Sequence, residues 1–150
     1  MADEAPLIKC RNCGKMNRVR PAASGVPHCG SCGAALPWLT DSSEADFPAV
    51  VEQSTLPVLV DFWAPWCGPC RVVSPTVEQI AKDLPGKIKL VKVNTDDAPN
   101  LSQRFGIRGI PTLILFDHGK PAARVTGALA APALRSWVEE HLPRPAAAKA

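Results

Sequence analysis

Val58-Leu59-Val60-Asp61-Phe62-Trp63-Ala64-Pro65-Trp66-Cys67-Gly68-Pro69-Cys70 is the stretch on which the reading of this chain turns. Val58 to Trp63 is short and nearly all apolar, the pattern of a strand buried on both faces. Helical spacing begins at Cys67, with Val73, Val77, Ile80 and Leu84 recurring on one side. Pro75 is expected to kink this helix, and Pro85-Gly86 to end it. Upstream, Ala45 to Gln53 reads as a helix with Pro48 in its first turn. Downstream, Ile88 to Val93 predicts a second strand, Ala98 to Phe105 a short helix, and Thr112 to Phe116 a third strand. His118-Gly119 turns the chain into Ala122 to Thr126 as a hairpin, and Pro132 to Leu142 is the last helix. This alternation predicts an α/β fold, a mixed central sheet with helices on both faces.

The chain is 46% hydrophobic and 21% charged, ordinary for a globular protein, which excludes wholesale disorder. No apolar run approaches the roughly 18 residues of a membrane span. The start, Met1-Ala2-Asp3-Glu4-Ala5-Pro6, is acidic and without an apolar core, so no secretory leader and a reducing, cytoplasmic setting are expected. Residues 1–40 hold five basic and two acidic side chains, whereas the rest balances twelve against twelve. The charge asymmetry coincides with a change in cysteine use and argues for two units. We expect a small module over residues 1–36 and a linker or short first strand over 37–42. An α/β domain over 43–142 and a disordered tail over 143–150 complete the division.

Six cysteines fall in three C-x-x-C pairs: Cys10/Cys13, Cys29/Cys32 and Cys67/Cys70. In a reducing compartment such pairs serve metal binding or redox chemistry rather than a disulfide framework. Cys67 lies where a buried strand gives way to a helix. A thiol there faces unpaired N–H groups and the positive end of the helix dipole, which favour thiolate. Cys70, one turn on, is within reach of Cys67. The first sulfur can attack a substrate disulfide and the second can resolve the mixed disulfide. The alternatives are a buried structural pair or half of a metal site. Asp61 interrupts the apolar strand, and burial should raise its pKa and make it a proton acceptor and donor near neutrality. Lys92, in the neighbouring strand, is its expected partner, in a catalytic or a merely structural pair.

Cys10, Cys13, Cys29 and Cys32 follow the spacing C-x2-C-x15-C-x2-C, which fits a closed Zn2+ site of four thiolates. Iron, or His28 in place of one cysteine, is the lesser alternative. Gly14 and Gly33 each follow a pair, where a tight knuckle needs glycine. A segment this short cannot bury enough surface alone, so a metal would supply its folding energy.

Residues 58–70 and Phe105-Gly106-Ile107-Arg108-Gly109-Ile110-Pro111-Thr112 resemble the thioredoxin family over nearly all of residues 43–142. The zinc-type extension resembles the bacterial subgroup that carries such a module. The resemblance implies the thioredoxin fold and disulfide reductase activity, with Cys67 as nucleophile, Cys70 as resolving thiol, Asp61 as buried proton shuttle and Lys92 beside it. It implies a cis bond at Ile110-Pro111 facing the dithiol. Trp66, Gly68, Pro69, Gly109, Ile110, Pro111 and Gly127 would form the substrate surface. It also implies recycling by an NADPH-dependent thioredoxin reductase, disulfide-containing client proteins, and no organic cofactor. Gly68-Pro69, with no His between the cysteines, is the dipeptide of reducing members. Arg71 follows Cys70 where Lys is common, and Phe105 stands where many members have Tyr. Nothing demands an oligomer, so a monomer is expected. The module carries no aromatic residues among its basic ones, which argues against nucleic-acid binding. Its role is left between a scaffold that extends the substrate surface or tunes the redox centre and an oxidation switch that sheds zinc. The alternative from another class is a zinc-linked redox sensor or binding module that uses the fold as a peptide-docking surface.

Overall fold

The computed structural model describes residues 5–143, so Met1–Glu4 and the tail from residue 144 lie outside the described residues. Two short strands, β1 (Leu7–Lys9) and β2 (Met16–Arg18), pair antiparallel at the start. The main sheet is built from β3 (Leu39–Asp41), β4 (Val58–Trp63), β5 (Lys89–Asn94), β6 (Thr112–Asp117) and β7 (Lys120–Thr126), in the order β3-β5-β4-β6-β7. β3, β5 and β4 run parallel, β6 is antiparallel to β4, and β7 is antiparallel to β6. Helices α1 (Gly68–Asp83), α2 (Pro99–Arg104) and α3 (Ala131–His141) complete the domain.

The alternation along β4 divides the core. Val58, Val60 and Phe62 face Phe47, Val50, Val51, Ala98 and Leu101, whereas Leu59 faces α1 and α3 through Val73, Val77, Ile80, Leu134 and Val138. Asp61 shares the parity of Leu59 and so meets α1. The region expected as a helix over residues 45–53 narrows to a π-helical turn, Pro48–Glu52. Asp46 organises its entrance, its Oδ1 accepting from Ser42 Oγ at 2.7 Å and from the Ser43 amide at 2.8 Å. The hairpin turn places His118 at φ 50° and Gly119 at φ 81°. A Cβ on Gly119 would lie 2.4 Å from the Glu52 carbonyl oxygen, so only glycine fits.

Ile8, Cys10, Val19, Cys29, Leu36 and Trp38 form a small core of their own, capped by Leu56. This module rests on the end of the sheet where β5 begins and α1 finishes. Arg11 pairs with Asp83 at 3.1 Å, and Gly86 at the turn after α1 packs near Val26 and Ala35. The tether is a fully buried lysine. Lys89 Nζ donates to the Pro21 carbonyl of the module and, at 2.6 Å, to the Val50 carbonyl of the domain, and sits 4.3 Å from the centre of the Trp38 ring. Burial brings its pKa down to about 8, opposed by the charge of Asp46. Its two carbonyl acceptors explain how the ammonium is tolerated inside.

Lys89→Met retains the stem and removes both hydrogen bonds. Each carbonyl left without a donor costs about 1–3 kcal/mol. The module should therefore undock more often, seen as severalfold faster tryptic cleavage after Lys15 and Arg18 with unchanged far-ultraviolet circular dichroism.

Candidate functional site

Cys67 is the N-cap of α1, in extended backbone at φ −84° and ψ 112°, and its sulfur accepts the Cys70 amide at 3.2 Å. Gly68 and Pro69 occupy the first helical positions, where Pro gives up an amide that would have no helical partner anyway. The helix does continue through Pro75. Cys67 and Cys70 are joined as a disulfide with Cα atoms 5.3 Å apart. Both are buried in a pocket of Ala64, with Trp63 and Ile110 packed against it. The Ile110–Pro111 bond is cis, and the Ile110 carbonyl oxygen lies 3.7 Å from Cys67 Sγ. Gly109 and Gly127 flank this loop. The Gly127 amide donates to the Pro111 carbonyl at 2.9 Å with φ at 101°, and Thr112 Oγ1 donates to the Gly109 carbonyl at 2.6 Å. Trp66 stands beside the disulfide with 69% of its surface exposed, its indole N–H held by Asp96 Oδ1 at 3.0 Å. The sheet and α1 thus gather Trp66, Cys67, Gly68, Pro69 and Cys70 opposite Gly109, Ile110, Pro111 and Gly127.

Asp61 is fully buried beneath this surface. Oδ2 accepts from Ser74 Oγ at 3.0 Å, and Oδ1 has no hydrogen-bond partner. Burial pushes its pKa up to about 6, while the Ser74 hydrogen bond and then the Lys92 charge hold it down and Glu78 adds to the rise. Lys92 stands opposite Asp61 in the β4–β5 register. Its ammonium, however, bonds Glu78 Oε2 at 3.0 Å and lies 4.9 Å from the Trp63 ring centre. The direct ion pair expected between Lys92 and Asp61 is therefore replaced by one with Glu78. That ammonium keeps a partly exposed carboxylate as partner rather than following Asp61 into the core.

In the module, the sulfurs of Cys10, Cys13, Cys29 and Cys32 all lie within 4.8 Å of one another, with Cys10–Cys32 and Cys13–Cys29 at 3.6 Å. Four thiolates at about 2.3 Å from one tetrahedral ion stand roughly 3.8 Å apart, so the cluster fits a metal ion. Both pairs have the same knuckle. The Gly14 and Gly33 amides donate to the Cys10 and Cys29 carbonyls at 2.9 Å, with φ at 81° and 80°. Hydrogen bonds from the backbone of Cys32 and of Ser31 bring Cys29 down to about 6, in spite of desolvation. Among the described residues the cluster contains the four cysteines alone, and His28 pairs through its backbone with Ala35. Arg11, next to Cys10, pairs with Asp83 at the end of α1 opposite Cys67, so the length of α1, about 24 Å, lies between the cluster's end of the sheet and the disulfide. The module therefore does not extend the surface around Cys67.

The family model described as Thioredoxin matches residues 38–140. The chain belongs to the thioredoxin family. It is 51% identical over 100 residues to the thioredoxin of Synechocystis sp., covering 67% of this chain and 94% of that protein. It is 50% identical over 109 residues to thioredoxin 1 of Nostoc sp., covering 73% of this chain and 99% of that one. Thioredoxin C-3 of Corynebacterium nephridii is 40% identical over 139 residues, covering 91% of this chain and 95% of its own. An alignment of that length cannot fit within residues 38–150, so it takes in much of the cysteine-bearing segment as well. The chain is a disulfide oxidoreductase of thioredoxin fold. Among the described residues no helix is long and apolar enough to cross a membrane.

Three residues of these sites escape sequence reasoning. Ser74 was legible in principle, as a polar residue between Val73 and Val77 one turn beyond Cys70. Glu78 and Lys89 offered no such sign, because both read as ordinary charges on amphipathic elements.

The burial of Asp61 has a measurable consequence. Its folded pKa, about 6, lies above the ordinary value of 3.8, so between those pH values the unfolded chain has released a proton that the folded chain keeps. Stability contributed by this group falls as pH rises through that window. Asp61→Asn should therefore stabilise the oxidised protein by about 2–3 kcal/mol above pH 6 and by little below pH 4, read from urea unfolding across pH.

Proposed function

We propose that the chain is a protein-disulfide reductase of the thioredoxin 2 type, working in the cytoplasm as a monomer. The observation that carries this is the Cys67–Cys70 pair at the head of α1, facing the cis-Pro111 loop in a chain of the thioredoxin family. The domain of residues 43–142 carries the reaction, behind a module of residues 1–36 and a connection over 37–42.

An extended client segment lies across Gly109, Ile110 and Gly127, with the Ile110 carbonyl as a backbone acceptor and Trp66 and Pro69 at the rim. Cys67, reduced, attacks one sulfur of the client disulfide as a thiolate, and the other client sulfur leaves as a thiolate that takes a proton from water. Cys70 then loses its proton to Asp61, attacks Cys67 Sγ and releases the second client sulfur. Two electrons pass to the client and the Cys67–Cys70 disulfide forms. A thioredoxin reductase returns them from NADPH. The direction rests on Gly68-Pro69, where no His stabilises the thiolate and favours an oxidant. Lys92, opposite Asp61 in register, adds positive charge near the proton site.

Cys10, Cys13, Cys29 and Cys32 would hold Zn2+ as a closed structural site, contributing folding energy and no open coordination position. A second reading, a redox sensor that loses zinc on oxidation, is favoured by the exposure of Cys13 and Cys32.

NADPH-driven reduction of insulin through thioredoxin reductase tests the proposal. Turnover should vanish in Cys67→Ser and persist in Cys10→Ser/Cys13→Ser, which should contain less than one tenth of the parent's zinc. No turnover in the parent protein with both thiols intact would overturn the reductase reading in favour of the sensor.

A further inference from the structure

Cys70, Ser74 and Glu78 are spaced by four residues on α1, and so form one stripe along the helix. The stripe faces the register pair Asp61 and Lys92 of β4 and β5. Ser74 is bonded to one oxygen of Asp61 and Glu78 to the ammonium of Lys92, so each helix residue engages one member of the strand pair. Cys70, Ser74, Glu78 and Lys92 line an open crevice of about 430 Å³, with Asp61 buried under its floor.

We propose that Ser74 and Glu78 are positioning residues for the Asp61 carboxyl. Ser74 ties up Oδ2 so that Oδ1 is the oxygen that exchanges the Cys70 proton, and Glu78 keeps the Lys92 ammonium away from it. This rests on the reading of Asp61 as the proton acceptor for Cys70.

The geometry assigns the two residues opposite effects. A hydroxyl donating to a carboxylate stabilises its charged form, so Ser74 favours early release of the proton. An ammonium in contact would do the same more strongly. Glu78 holds that ammonium at 3.0 Å and brings a negative charge of its own, so it favours a retained proton. Among the described residues the charged groups acting on Asp61 are Glu78 from α1 and Lys92 from β5; Cys70 and Arg71 from α1 line the same crevice, and its β6 partner, Leu113, is apolar. Oδ1 has no partner among the described residues, which leaves it free for proton transfer.

The test is the pH profile of insulin reduction at saturating thioredoxin reductase, measured for the parent, Ser74→Ala, Ser74→Thr, Glu78→Gln, Asp61→Asn and the double variants with Asp61→Asn. Ser74→Ala should move the acidic midpoint up, and Glu78→Gln should move it down, each by about half to one pH unit, the scale of one hydrogen bond or one nearby charge. Ser74→Thr, which restores the hydroxyl, should return the midpoint toward that of the parent. In the Asp61→Asn background neither substitution should shift the profile further. Shifts of the same sign, shifts that survive in Asp61→Asn, or none where Asp61→Asn itself has an effect would overturn the inference and leave the role of Asp61 intact. A profile unchanged in Asp61→Asn alone would overturn the proton role and the inference with it.

Discussion

The Cys70 amide donates to the sulfur of Cys67, and this contact depends on a strand ending and a helix beginning within a few residues. The first amides of a helix have no carbonyl partners in their own helix. Here one of them is satisfied by sulfur, so the demand of α1 for a cap and the demand of thiol chemistry for a stabilised anion are met by the same atom. Everything else supports that junction. Buried β4 delivers the chain to it, the apolar stripe of Val73, Val77 and Ile80 anchors the helix behind it, and the cis-Pro111 loop closes over it.

Two charged side chains are buried among the described residues, and they are handled differently. Lys89 is supplied with two backbone carbonyls and an aromatic face, and it joins module to domain. Asp61 receives one hydroxyl and keeps one oxygen unpartnered, which raises its affinity for a proton. The ammonium is surrounded by acceptors, whereas the carboxylate is left partly unmet, as the proton-accepting role proposed for it requires. The difference separates the two roles without reference to motif.

The cysteine module follows the same logic at small scale. Its core of Ile8, Val19, Leu36 and Trp38 is closed by the four sulfurs and by the end of the neighbouring sheet. By docking where α1 finishes, it leaves the surface around Trp66 clear. An influence of the module on the disulfide could pass along α1, β4 or β5, which all reach from the module's end of the domain toward the disulfide.

Period and punctuation in the sequence were enough to place β4, α1, β5, β6 and α3, because long apolar stripes and Gly or Pro breaks are local properties. The C-x-x-C spacings likewise declared their chemistry, since ligand and nucleophile geometry is short-range. The helix expected over residues 45–53 was shorter than its composition suggested, because Asp46 and Pro48 constrain its entrance and Lys89 takes the carbonyl of Val50 in its middle. Lys92 was placed correctly opposite Asp61, but its partner Glu78 lies fourteen residues away on another element. The sequence by itself determined the fold class and the two sets of cysteines. Only the tertiary structure decided which charges meet and which end of the sheet carries the module, because those contacts join residues whose separation along the chain leaves no periodic trace.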